Sequence, residues 1–447
     1  MHLHTSIHLL RYFQNKELDE LYVSLAIRNF ALGLISIFIP IYLIKQGFSI
    51  TFVLLFYSII HLTHFILTIP VVELSRRITY KTTMILSTPF LILFYFILYT
   101  IPPDSTRTST FLLLGFIFGI NNVLFWIGYH LFMAKHSDEG LRGEEIAVVT
   151  TINFLLTIIS PFIGGLILSF ASFKELFFIV SLLLLLSTIP LFMVKERVDD
   201  SYKRRGKKLS KNMRVKELFN NLLIRKLFIR RGKDAISFFV YGIEGGTQII
   251  LWPIFLYFTL LNNYAKLGFF NSTLLMTAVI TTLIIGKLTD INKRIVLLFG
   301  TFTTAIVWIF RALIVTPTQA LFSNITYGIT KTALHIPIDT ITYERANMEA
   351  RVKGSKENME GRIGDYIIMR ELFINLGRTT FLLLLSLFLN LFLINTPLSR
   401  GSDISDVMNK LRIIFIIVGL LTMFYSLLSS SSSSPSPALA KNNARSN

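Results

Sequence analysis

Cysteine is missing from all 447 residues of this chain. Disulfide staples and thiolate metal sites are therefore excluded at once. Charge is scarce as well: 16% of residues are Asp, Glu, Lys or Arg, against roughly a quarter in soluble domains. Acids are the scarcer sign, 26 against 44 Lys and Arg, which leaves a formal charge of +18. In a soluble protein that excess points to nucleic acid. Here 53% of residues are apolar and the mean hydropathy is +0.61, so no nucleic-acid partner is expected. The amino terminus has no short apolar core with a small-residue cleavage site, and no removable signal peptide is expected.

What the chain does have is long apolar runs, several of them long enough to cross about 30 Å of hydrocarbon at roughly 1.5 Å per residue. Helices are predicted over 18–44, 48–73, 82–101, 108–134, 146–171, 174–194, 235–261, 265–289, 295–315, 317–343, 366–395 and 408–430. The expected fold is an all-α, multi-pass membrane protein with twelve transmembrane helices. Between the sixth and seventh, Lys195 to Lys233 holds fifteen Lys or Arg against four acids. So cationic a run cannot bury a core of its own and reads as a solvated linker. The domains are then 1–195 and 234–430, two six-helix bundles, with a basic linker at 196–233 and a Ser- and Pro-rich tail at 431–447 expected to be disordered. Placing both termini in the cytoplasm puts 33 Lys or Arg inside and seven outside, with Arg28, Arg311, Lys331 and Arg378 inside helices. That imbalance sets the orientation, and the cell membrane is the expected location.

The halves echo each other. Ile39-Pro-Ile-Tyr-Leu43 resembles Trp252-Pro-Ile-Phe-Leu256, and Gly119 to His130 lines up with Gly328 to Asp339. The loop Glu73-Leu-Ser-Arg-Arg77 with Lys81 matches Lys287-Leu-Thr-Asp-Ile291 with Arg294. Two parallel six-helix repeats joined by a basic bridge resemble the major facilitator superfamily of secondary transporters. Gly286-Lys-Leu-Thr-Asp290 followed by Lys293-Arg294 is similar to that family's loop signature, with Ile291 in place of an Arg. The resemblance implies a cytoplasmic gate at Gly286, Asp290, Arg294, Arg77 and Lys81. In the first-half copy Val72 replaces the Gly and Arg76 the Asp. Ser160-Pro-Phe-Ile-Gly-Gly165 is similar to a motif of the family's proton-coupled antiporters; close helix packing is the alternative reading.

Ionisable groups in hydrocarbon usually face a cavity or a partner. They concentrate on helices 1, 4, 7, 10 and 11: Arg28 and Asn29; Asn121, Asn122, Trp126 and His130; Glu244 and Gln248; Tyr327, Lys331, His335 and Asp339; Glu371, Asn375 and Arg378. The resemblance implies that helices 1, 4, 7 and 10 line a central cavity. At 1.5 Å per residue, Arg28, Glu244, His335 and Arg378 fall roughly 25 Å below the outer ends of their helices, a plausible cavity floor. The expected substrate and coupling set is Arg28, Asn29, Asn122, Trp126, Glu244, Gln248, Lys331, His335 and Asp339, with Glu371, Asn375 and Arg378 secondary.

Glu244 is the expected proton carrier, its alternative being a fixed ion pair with Arg28 or Lys331. Arg311, near the outer headgroups, is expected to snorkel. His61 and His64 share a face of helix 2, no carboxylate is expected to accompany them at that depth, and no metal is expected. No Gly-x-Ser-x-Gly, metal-ligand spacing or phosphate loop appears, so no enzyme and no cofactor is expected. The function read from these residues is alternating-access transport of a small solute, proton-coupled, with efflux favoured. An uptake symporter for a sugar or organic anion, or a lipid flippase or membrane enzyme on a polytopic helical scaffold, is the alternative. Expected partners are the solute, a proton or other coupling ion, and membrane lipid around a monomer.

Overall fold

A backbone surrounded by hydrocarbon must satisfy its own polar groups, and a single chain segment can do so only as a helix. The computed structural model describes residues 16–101, 108–136, 142–193, 224–352, 359–392 and 401–430. The linker from 196 to 223, the tail 431–447 and the amino-terminal histidines lie outside the described residues. No strand occurs among the described residues.

Helix α1 runs Lys16–Gly33, breaks at a 3-10 turn, Ser36–Phe38, and resumes as Ile39–Lys45. Next come α2 (Ile50–Ile78), α3 (Tyr80–Thr100), α4 (Thr108–His136), α5 (Arg142–Phe170) and α6 (Phe173–Met193). Helix α7 starts as Ile224–Gly246 and passes through π turns at Thr247–Leu251 and Leu256–Leu261, on either side of Trp252–Phe255. The element Tyr264–Leu313 is broken at Asn292 (φ −154°, ψ 85°) into α8 (264–291) and α9 (293–313). Then follow α10 (Pro317–Val352), α11 (Met359–Phe392) and α12 (Gly401–Thr422), extended through Ser430. Among the described residues, nine stretches are long and apolar enough to cross a membrane, and α5 adds a shorter apolar one, Leu156–Phe170.

Where helix ends differ from the sequence expectation, the helix outruns its apolar run. Helix α2 continues from 73 to Ile78, where Arg77 pairs with Glu73 one turn back at 2.7 Å. Helix α10 continues from 343 to Val352 through Glu344 and Arg345, both of which find charged partners. The two breaks have a shared cause. Pro40 and Pro253 each sit in the first two positions of the segment that restarts after a break. Proline donates no N–H and its ring crowds the carbonyl four residues back, so the chain tightens to 3-10 before Pro40 and widens to π before Pro253. The prolines that reveal the internal repeat therefore mark equivalent discontinuities in α1 and α7.

Odd-numbered helices run away from the face at which α6 ends and α7 begins, here called the linker face. Towards the opposite face, one apolar core runs through both halves, from Phe38, Tyr42 and Phe56 to Trp252, Phe255, Trp308 and Phe415. Towards the linker face the core divides. Leu21, Leu25, Phe125 and Phe132 pack within the first half, while Phe238, Leu334, Ile338 and Tyr366 pack within the second. A narrower seam, Val71, Val72 and Ile127 against Ile368 and Leu372, bridges α2 and α4 to α11.

Candidate functional site

Helix α4 presents two polar faces because successive residues differ by roughly 100° around the axis. Asn121 and Phe125, four apart, turn to α1. The amide of Asn121 accepts a hydrogen bond from Arg28 at 3.0 Å, and the guanidinium lies 3.8 Å over the Phe125 ring. Arg28 is buried, and its Nε and Nη1 find no hydrogen-bond partner. Asn29, next to it, is half-buried. The second face of α4 carries Asn122, Trp126 and His130 at four-residue spacing. Asn122 is half-buried, Trp126 is 41% exposed, and the Trp126 ring stacks on His130 with centroids 5.7 Å apart. The contacts of Arg28 thus lie within the first half. The structure does not bring it to Glu244, Lys331 or His335.

Glu244 belongs to a different network. Its carboxylate accepts hydrogen bonds from Trp308 Nε1 at 3.2 Å and from the Tyr327 hydroxyl. Both donors are neutral and both come from the same half, so the alternative reading of a fixed ion pair with Arg28 or Lys331 is not what holds this carboxylate. Beside it, Arg311 is fully buried. Its Nη1 donates to Gln248 at 2.6 Å and its Nε to Ser323 at 3.2 Å, and its guanidinium lies 4.1 to 4.5 Å from the Trp252, Trp308 and Tyr327 rings. The expectation that Arg311 snorkels outward is corrected here. Helical side chains lean toward the amino terminus of their helix, so an arginine two residues from the end of α9 is aimed back into the bundle. Cation–π contacts and charge-assisted hydrogen bonds compensate its lost hydration.

The stripe on α10 drifts by about 40° at each four-residue step, and its partners change accordingly. Tyr327 points to Glu244 in the core. Lys331 is half-buried, with its ammonium 5.6 Å from the Tyr327 ring. His335 is half-buried and hydrogen-bonded to the Tyr241 hydroxyl at 2.8 Å. Asp339, its carboxylate 46% exposed, pairs with Arg370 of α11 at 3.0 Å. Lys331 lies within electrostatic range of Glu244, Arg311 and Arg378. Arg378 rests on α7, with Nη2 3.4 Å from the position a Gly245 Cβ would take, an ordinary contact distance.

At the seam between the halves, the expectation that no carboxylate accompanies His61 and His64 at their depth is corrected, because α11 brings Glu371 to them. Glu371 is buried and approached by three cationic or potentially cationic groups: Arg370 at 3.3 Å, His130 of α4 at 3.5 Å and His64 of α2 at 3.9 Å. One turn on, Asn375 Oδ1 meets His61 Nδ1 at 3.2 Å. Reading helix 2 alone could not find this cluster, because its carboxylate lies more than 300 residues away in sequence. Arg370, which is not among the expected site residues, also meets this carboxylate.

Asp290 and Arg294 are exposed, Gly286 is half-buried with open space at its Cβ, and the ion pair at this turn is Lys293 with Glu344 of α10. In the first-half loop Arg77 pairs with Glu73, and Lys81 is half-buried. A Cβ at Gly165 would stand 2.4 Å from the Tyr264 carbonyl of α8, and one at Gly268 of α8 would stand 2.1 Å from the Pro161 carbonyl. The Ser160–Gly165 segment thus presses α5 directly onto α8. Asp234, at the edge of the basic run, is fully buried. It holds Arg345 at 2.5 Å and Tyr366 at 2.7 Å, while Arg345 also donates to the Leu428 carbonyl at 2.7 Å.

With this geometry in place, the comparisons with known proteins are direct. The family model of the Major Facilitator Superfamily matches residues 21–355. No curated protein matches the chain. Among solved structures, the fold is similar to a mutant of the nucleoside transporter NupG at 11% sequence identity, with a TM-score of 0.65, over 93% of this chain and 100% of that one.

Proposed function

Because this chain belongs to the major facilitator superfamily, we propose that it is a secondary transporter that moves a small solute by alternating access, coupled to protons. It is a multi-pass protein of the membrane. The observation that carries the reading is the way the halves meet: a shared apolar core towards one face, and a seam of polar side chains (His61, His64, His130, Glu371 and Asn375) in mid-helix. Buried polar groups of this kind cost free energy in lipid and favour a function that parts and rejoins them.

In the orientation set by the cation count, the linker face is cytoplasmic, and there the halves meet through the narrower seam of α2 and α4 against α11. The domains divide at the basic linker, and the solute site lies between the halves, bordered by Asn122, Trp126, Lys331, His335 and Asp339. The α5–α8 contact at Gly165 and Gly268 serves as a pivot, so Ser160–Gly165 favours efflux over uptake only weakly. Purified protein in liposomes, screened for flux of nucleosides, sugars and organic anions with and without a pH gradient, tests the reading. Solute movement driven by the gradient supports it; leakage-level flux for every class rejects it.

A further inference from the structure

We propose that Glu371, with His64 and His130 around it, is the site that binds the coupling proton, and that the proton fastens the two halves together at the linker-side seam. This rests on the transporter reading and moves the proton away from Glu244. The carboxylate of Glu244 is held by Trp308 and Tyr327, which belong to its own half. A group that keeps the same neighbours when the halves part has no means of sensing that motion. Glu371 does, because its imidazole neighbours belong to the other half.

The geometry is that of an unfinished contact. His64 Nε2 is buried, 3.9 Å from a Glu371 oxygen, and makes no hydrogen bond. His130 Nε2 stands at 3.5 Å from the second oxygen. Both separations exceed ordinary hydrogen bonds. One proton on either imidazole converts a loose approach into a charge-assisted hydrogen bond to a carboxylate, roughly twice as strong as a neutral one.

The charged groups around Glu371 come from several helices. Helix α11 contributes Arg370, which it shares between Glu371 and Asp339 of α10. Arg378, also on α11, rests beside Gly245 of α7 and lies within electrostatic range of Glu371, His64 and His61. From α2, His61 is engaged by Asn375. From α7 and α10, Tyr241 and His335 bond each other, and Lys331 sits beside Tyr327. Tyr129 of α4 lies within electrostatic range of Asp339 and Arg370. Asp339, half exposed, is the wet edge from which a proton reaches the cluster. The proton comes from water on one side, sits on imidazole against Glu371, and returns to water on the other side when the seam reforms elsewhere.

Because the chain has no cysteine, spin labels can be placed without background. Labels at Thr82→Cys and Ile291→Cys, on exposed linker-face positions of opposite halves, report the seam by dipolar distance in lipid nanodiscs. Measured across a series from about pH 4 to about pH 8, the distance is expected to shorten in acid. Glu371→Gln and the double change His64→Gln with His130→Gln should abolish the shift. Glu371→Asp, which keeps the charge, should retain part of it, and Glu244→Gln should leave it intact. A distance independent of pH in the parent, or a shift that survives Glu371→Gln, overturns the proposal. The readout needs no solute: a pH-driven seam in a protein without flux would reject the transporter reading and leave the proton site standing.

Discussion

Glu244 and Glu371 are both buried carboxylates, yet their neighbours assign them opposite roles. Sequence could rank them only by helix number, which favoured Glu244. Helix number decides which helices border a cavity, but not which of a helix's faces does. Asp234 shows the same limit: it stands next in sequence to a run of fifteen cations, yet it is the buried centre of a node joining α7, α10, α11 and the end of α12. Breaking a buried pair by removing one partner costs about 3–5 kcal/mol. Asp234→Ala is expected to lower stability by about that much, read as a lowered melting temperature of the detergent-purified protein. An unchanged melting temperature would show that the node carries no weight. Arg345→Ala should behave alike, and the double change should cost less than the sum of the two, since both remove one interaction.

Helices were legible where apolarity alone defines them, as in α3 and α6, and less so where charge pairs extend them, as in α2 and α10. The breaks in α1 and α7 were written in the prolines of the repeat, although the change of hydrogen-bond register was not. Pro253→Ala restores an N–H and removes the clash with the preceding turn. It is expected to straighten α7, keep or raise the melting temperature, and slow flux severalfold; normal flux would show that the π turns are incidental. The small residues of α5 make a separate prediction. A side chain at Gly268 would meet the Pro161 carbonyl at 2.1 Å, which only a backbone shift can relieve. Overpacking of this kind typically costs about 1–3 kcal/mol. Gly268→Val should therefore destabilise the protein by that order and stop transport, whereas Gly286→Ala, with open space at its Cβ, should do neither.

Across the whole molecule, the family fold and the helical plan could be read from hydropathy, loop charge and the internal repeat, because bilayer physics acts directly on those. The arrangement of the polar groups could not. The four residues assigned to one cavity floor by depth divide between separate networks, with Arg28 in the first half and Glu244 held in the core of the second. Depth fixes height along the membrane normal and leaves rotation about each helix undetermined. The resulting account is of two halves hinged on an apolar core and fastened by a polar seam. Its most direct test uses two distances in one set of cysteine-free samples, Thr82→Cys with Ile291→Cys at the linker face and Lys174→Cys with Thr318→Cys at the opposite face. Across pH and the solute panel, the account predicts that one distance lengthens as the other shortens. Two distances that stay fixed, or that lengthen together, would contradict it.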